Sequence, residues 1–319
     1  LAGLRTTIGD QLRRTGLIHV PPGAFTPTQL DQLATVLAPL EQRLLELESA
    51  QHEEPPFDIL DAYHRDVPSP QTAVDLFAGE WASRLPLPGV SAGTAPLFEI
   101  EHVPWGVELL GGVQGQRVLE LGPLEGGHTY LLDRMGAAEV VAVEANSRGF
   151  LKCLIAKELV GIPSARFMLG DAVRHLEDHL AHEEPLYDLV LASGILYHLV
   201  DPVAALDLMT RASDRLVLWT MYYDEQLIRS REDLSVRFPS SSEHNHRGFV
   251  HTLHGHEYQH SLDYKGFCGG SAAGSAWLSR DDLFAAIDFL GFDVEGVGFE
   301  ELDHKGNGPC ICIAARRRS

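Results

Sequence analysis

Val118-Leu119-Glu120-Leu121-Gly122-Pro123-Leu124-Glu125-Gly126-Gly127 decides the fold. An apolar β-run ends in glycine, and a helical stretch at 127–134 follows at once. A glycine-rich turn between a strand and a helix lets a ligand approach the backbone closely. A dinucleotide loop would read G-x-G-x-x-G; here Gly122 and Gly126 stand four apart with Leu124 between them. Counted from Glu120, the spacing is acidic-x-Gly-x-x-x-Gly.

On either side of this turn the texture differs. Downstream, β-runs at 117–121, 140–144, 166–169, 188–192 and 215–220 alternate with helical stretches at 127–134, 147–160, 172–180 and 202–211. Such alternation predicts an α/β fold whose mostly parallel sheet is covered on both faces. The rhythm stops after Thr220 and resumes with Ser279, which caps a helix to Leu290. Strands near 292–300 and 309–315 follow, and Gly306-Asn307-Gly308 lets them pair antiparallel. Upstream, the first hundred residues read as helices. Thr26-Pro27-Thr28-Gln29 is a capping box, and Leu30, Leu33, Leu37, Leu40, Leu44 and Leu47 form an apolar stripe that Pro39 interrupts. The stripe is expected to pack on the rest of the protein; a homodimer seam is the sharper reading. Glu53-Glu54-Pro55-Pro56 reads as a linker, Ser69-Pro70 starts a short helix, and 86–96 is a Pro/Gly-rich boundary. The predicted division is a helical cap region over 1–100 and a catalytic domain over 101–319, with an insertion at 221–276 as a lid.

The chain has 319 residues, 25 basic and 45 acidic, for a formal charge of −20. That balance argues against a surface that grips nucleic acid. No apolar run is long enough to span a membrane. The start, Leu1-Ala2-Gly3, shows no signal peptide, and its lack of Met points to a missing upstream piece. Four cysteines without a C-x-x-C pair suit a reduced cytoplasm.

Three strand ends carry carboxylates. Glu120 precedes the glycine turn, Glu144 closes the second strand about twenty residues later, and Asp171 follows the third strand in Gly170-Asp171-Ala172. A carboxylate at the second strand end can accept both hydroxyls of a ribose, at the edge where open α/β sheets bind ligands. The fourth strand leads through Ser193-Gly194 into Ile195-Leu196-Tyr197-His198. In order and spacing these motifs resemble the Rossmann-like (class I) S-adenosylmethionine (SAM) methyltransferases, over about 105–315. The finer likeness is to the branch of the tRNA wobble-uridine carboxymethyltransferases, which shares Gly-x-Leu-Tyr-His and an aromatic helix before strand one, where Trp105 fits. The resemblance implies a seven-stranded, doubly wound sheet with a reversed last strand, and SAM as cofactor. Glu120 would hold the methionine amino group, Gly122 and Gly126 would admit the cofactor to the backbone, and Glu144 would bind the ribose. Asp171 and Ala172 would contact adenine, and Ser193 and Gly194 the methionine end. Trp105, Pro123, Ala145 and Asn146 are counted with these contacts. One residue departs from the pattern: Leu124 stands where the family usually has its central glycine.

Of 16 histidines, His244, His246, His251, His254, His256 and His260 crowd into the insertion. His256-Glu257-Tyr258-Gln259-His260 matches H-E-x-x-H, but without the helical setting that a zinc protease needs. In a strand, His254, His256, Tyr258 and His260 would share one face at period two. That face could be a polar lid, a substrate pocket completed by Tyr222, or a metal site for a chelating substrate. No metal ligand is assigned. The expected activity is methyl transfer from SAM to an O or N nucleophile of a small molecule, with His198 as general base and Tyr197 beside it. A tRNA (carboxy)methyltransferase and a metal-assisted methyltransferase using the insertion are the alternatives.

Overall fold

The computed structural model describes Thr26, Thr28 and residues 63–263 and 269–318. The leucine stripe, Pro27 and Gln29 of the capping box, the linker at 53–56, Tyr264 and Cys268 lie outside the described residues. The chain divides into two compact units, Leu1–Val67 and Pro68–Ser319, and all the strands among the described residues belong to the second.

These strands are β1 (Arg117–Leu121), β2 (Glu139–Glu144), β3 (Ala165–Leu169), β4 (Leu189–Ser193), β5 (Arg215–Met221), β6 (Ser240–His246), β7 (Phe249–Glu257), β8 (Gly274–Trp277), β9 (Phe292–Glu301) and β10 (Cys310–Arg317). The helices of the same unit are α1 (Pro70–Asp75), α2 (His102–Leu109), α3 (Gly127–Arg134), α4 (Ser147–Ala156), α5 (Ala172–Ala181), α6 (Pro202–Ala212), α7 (Glu225–Ser230), α8 (Glu232–Ser235) and α9 (Arg280–Phe289). Seven strands form one sheet in the order β3-β2-β1-β4-β5-β10-β9. β1 to β5 run parallel, and β10 lies antiparallel to both β5 and β9. The reversed last strand is therefore present as expected.

Period two explains why both faces are covered. Leu119, Leu121, Val141 and Val143 bury one face with Leu176 of α5 and Leu206 and Met209 of α6. Val118, Val140 and Leu191 bury the other with Val103 and Val107 of α2. Side-chain caps start four of the helices that flank the sheet: Asn146 for α4, Asp171 for α5, Asp201 for α6 and Ser279 for α9. The helix expected over 147–160 is shorter, since a wide π-turn, Lys157–Gly161, replaces its last turn.

The unit that holds the sheet begins at Pro68, well before residue 101. Glu125, fully buried after β1, explains this. Its carboxylate accepts the backbone N–H groups of Ala82 and Ser83 at 3.0 and 2.7 Å and pairs with Lys152 at 2.5 Å. Lys152 in turn donates to the Glu80 carbonyl at 2.9 Å. Losing either partner would strand a buried charge, so the 80–83 segment is bolted to the glycine turn. The insertion forms a separate three-stranded antiparallel sheet, β6-β7-β8. It is tied to the loop after β4 by the Ala276 N–H bond to the Leu199 carbonyl, at 2.9 Å.

Candidate active site

The carboxyl ends of β1, β2 and β4 and the turn after β3 open onto one cavity of about 400 Å³. Gly122, Pro123 and Leu124 form one wall; Glu144, Ala145, Asp171 and Ala172 form the next. Ser193, Gly194, Tyr197 and His198 close the far side after β4. The turn is possible because Gly122 sits at φ +69, where a side chain is strained, with Ile195 packed over it. Leu124 itself takes φ +57, the left-handed conformation a glycine would adopt more cheaply. Leu124 therefore holds a left-handed position of the turn without being a glycine.

Glu144 is 8% exposed, and its two oxygens accept different backbone N–H groups, Leu124 at 2.9 Å and Asn146 at 2.8 Å. Burial pushes its pKa up, while these N–H bonds and Lys152 oppose the shift. Asp171 caps α5 through a single oxygen, Oδ1, which accepts from Val173 and Arg174. Its Oδ2 makes neither capping bond.

Beneath the cavity, Glu120 is fully buried, and Thr129 Oγ1 donates to its Oε2 at 2.5 Å. Burial raises its pKa to about 8, so the carboxyl is largely neutral at pH 7. Its Oε1 and His128 Nδ1 lie 3.6 Å apart, both buried and neither hydrogen-bonded. Burial likewise lowers His128 to about 3 and His102 to about 4. His102 bonds Ser193 Oγ at 2.9 Å through Nε2 and stacks on Trp219. His102, His128 and Trp219 all line the cavity and were absent from the sequence expectations. His128 sits one residue inside α3, so only its place after the glycine turn could have marked it.

His198 lies in the 3₁₀ turn after β4, and burial drops its pKa to about 4. Its Nδ1 meets Tyr258 Oη at 2.8 Å, and that oxygen accepts the Gly270 N–H at 3.1 Å. Gly270 is obligatory there, since a Cβ would come within 2.2 Å of the His198 carbonyl. Gly269, Gly270 and Ser271 supply the part of the insertion that lines the cavity.

The other insertion residues singled out by period two are elsewhere. β7 ends at Glu257, so Tyr258 and His260 are off the strand, and His260 is fully exposed. His254 stacks on Tyr223 at 3.6 Å and bonds Ser241 at 2.8 Å. His256 stacks on Trp277, and Tyr222 bonds Glu300. None of these five residues lines the cavity; Tyr258 reaches it through His198 and Gly270. Trp105 also stays out. It packs under β9, where Gly298 leaves room that a Cβ would fill to 2.9 Å. Gly126 and Asn146 support the turn and α4 from outside the lining. Nor do the insertion histidines gather as metal ligands. Among the described residues one trio of such groups converges, Glu301, His304 and Cys310.

No protein-family model matches the chain, and no curated protein sequence matches it. Solved structures do. The N-terminal domain of EvdMO1 with SAH bound aligns at TM-score 0.58 and 21% identity, over 78% of this chain and 95% of that one. This is the Rossmann-like methyltransferase fold. The same EvdMO1 domain in the presence of SAH and D-fucose gives 0.57 at 21% identity, with 78% and 95% covered. EvdMO1 itself gives 0.52 at 21% identity, over 80% of this chain and 50% of that one. Within the methyltransferase fold, the cavity occupies the carboxyl edge of β1, β2 and β4. No helix among the described residues is long and apolar enough to cross a membrane.

Proposed function

We propose that the chain is a SAM-dependent methyltransferase acting on a hydroxyl- or amine-bearing small molecule. One observation carries the reading: Glu144 and Asp171, from successive strand ends, line the same cavity as the Gly122 turn. The orphaned Glu120 Oε1 and His128 Nδ1 fit it too, as buried polar atoms that want a ligand partner. When bound, SAM supplies an electrophilic methyl group on a sulfonium.

The residues divide the remaining work. Glu144, fixed by two backbone N–H bonds, presents its other lone pairs to ribose hydroxyls. Asp171 Oδ2 suits an amino group on adenine, and Glu120 suits an ammonium, whose charge would draw the buried carboxyl into its ionised form. Neutral His102 and His198 keep the cavity from repelling a cation, and the Tyr197 and Trp219 rings favour one. Among the described residues, Lys305 is the only lysine or arginine in the lining, which favours a small acceptor over a polyanion. His198, neutral at pH 7, takes the acceptor's proton at Nε2. That role requires the tautomer in which Nδ1–H donates to the Tyr258 hydroxyl. A fall in activity is then expected only as pH drops toward about 4.

Titration calorimetry with SAM, on wild type and two variants, tests the reading. Glu144→Ala should weaken SAM about 10–100-fold, the loss of charge-assisted bonds. His198→Ala should keep SAM affinity within about twofold while turnover falls about 100-fold or more. Absence of binding by the wild type at millimolar SAM overturns the cofactor, and equal losses of affinity and turnover in His198→Ala overturn the base.

A further inference from the structure

We propose that Glu301, His304 and Cys310 form a site for a zinc-class divalent ion on the wall of the cavity. The inference rests on the methyltransferase reading only for what the ion would do there, not for its binding.

The β9–β10 hairpin builds the trio locally. Glu301 ends β9 and Cys310 begins β10, and the two are direct cross-strand partners. His304 returns between them in a 3₁₀ turn that Lys305 closes at φ +52. The turn is fixed independently of any ion. His304 N–H donates to the Gly308 carbonyl at 2.7 Å, Asp303 accepts from Gly308, and Arg231 clamps Asp303 at 2.6 Å. The three ligand atoms consequently lie within 4.8 Å of one another, with His304 Nδ1 already 2.9 Å from Glu301 Oε2. An ion about 2.0–2.3 Å from each donor would replace the His304–Glu301 hydrogen bond, moving those two atoms slightly apart and any pair near the 4.8 Å limit closer.

The donor chemistry is selective. Thiolate, imidazole and carboxylate together suit zinc far better than magnesium or calcium, which take oxygen sets. One thiolate and one carboxylate balance a 2+ charge, so the filled site is neutral in partly desolvated surroundings. The Cys310 thiol donates to the Phe299 carbonyl at 3.9 Å, a long contact that a metal-bound thiolate would give up. Cys310 is 1% exposed, whereas Glu301 and His304 line the cavity. The unfilled coordination position therefore faces the acceptor side. Three protein ligands with one open position is the arrangement of catalytic rather than structural zinc. A hydroxyl acceptor placed there would lose its proton more readily, which helps a base as weak as His198.

The full chain, stripped with a chelator and titrated with Co²⁺, tests the site by absorption. One ion per chain with a thiolate-to-cobalt band in the near ultraviolet is expected. Cys310→Ser should abolish the band, and His304→Ala, on a half-buried turn position that tolerates truncation, should weaken Co²⁺ at least about tenfold. His256→Ala should leave both unchanged. Absence of the band, or its survival in Cys310→Ser, overturns the site. SAM calorimetry on the same samples separates the two readings. SAM binding without a cobalt band removes the metal alone, and a cobalt band without SAM binding removes the methyltransferase alone.

Discussion

Glu120, at the end of β1, is fully buried beside a His128 nitrogen that has no hydrogen-bond partner. His254, in the middle of β7, is as good as buried too, but lies flat on Tyr223 and bonds Ser241. Both are titratable groups taken out of water, yet one is left wanting and the other is satisfied. A buried polar group with all its bonds made rigidifies a fold; one left short costs stability unless a ligand completes it. His246, His251 and Trp277 of the insertion sheet also keep a buried nitrogen without a hydrogen bond, so the difference is one of place: His128, beside Glu120, lines the cavity, whereas those three do not.

Glu120→Gln should give the largest effect. Glu120 has its pKa raised to about 8 from an ordinary 4.5, so the folded state binds the extra proton between these values. The stabilising contribution is complete below 4.5 and is lost as pH rises toward 8. By pH 7 the loss is of the order of 3 kcal/mol, several degrees in melting temperature. Glutamine removes the titration and can donate to His128 Nδ1. Without SAM, the variant should gain on wild type steadily from pH 5 to 8 in thermal melts, while SAM binding weakens about tenfold. Parallel melting curves would mean that Glu120 is already ionised, and the comparison would break at its strongest point.

The insertion should respond to pH in the opposite sense. Burial lowers His256 to about 4, so its neutral form contributes fully above the ordinary 6.5. That contribution is lost as pH falls from 6.5 to 4. His256→Phe keeps a ring on Trp277 and removes the titration, so its melts should fall less steeply over that window. SAM affinity should stay within about twofold of wild type. A marked loss of turnover in a stably folded His256→Phe would instead make the insertion histidines part of the chemistry.

The same contrast explains what could be read from the chain before its fold was known. In a parallel sheet, strand order and direction carry every strand end to one edge, so Glu144 and Asp171 were legible from position alone. Period two in β7 was legible as well, but not what covers each face, because that depends on Tyr223, Phe238 and Trp277 from other segments. Nor could sequence tell that β7 stops at Glu257, which throws His260 into solvent and turns Tyr258 toward His198. Glu301, His304 and Cys310 read as an ordinary hairpin; only the register of β9 on β10 brings them together. Lys152 and Glu125 carried no signal at all, since a buried ion pair looks like two surface charges until the chain is folded.

The smallest effect is expected where family pattern and residue disagree. Leu124 holds φ +57 at a cost of about 1 kcal/mol, and its N–H donates to Glu144. Leu124→Gly relieves that cost, but gives the unfolded chain more freedom, worth about 0.5–1 kcal/mol, and removes a half-buried side chain. The terms nearly cancel, so stability should move by less than about 1 kcal/mol. The backbone bond to Glu144 survives, and SAM affinity should change less than about threefold. A tenfold loss of affinity with unchanged melting would show that the leucine side chain itself touches the ligand. Then this wall of the cavity would bind through an apolar surface as well as through backbone and carboxylates, and its contrast with the stacked insertion would narrow.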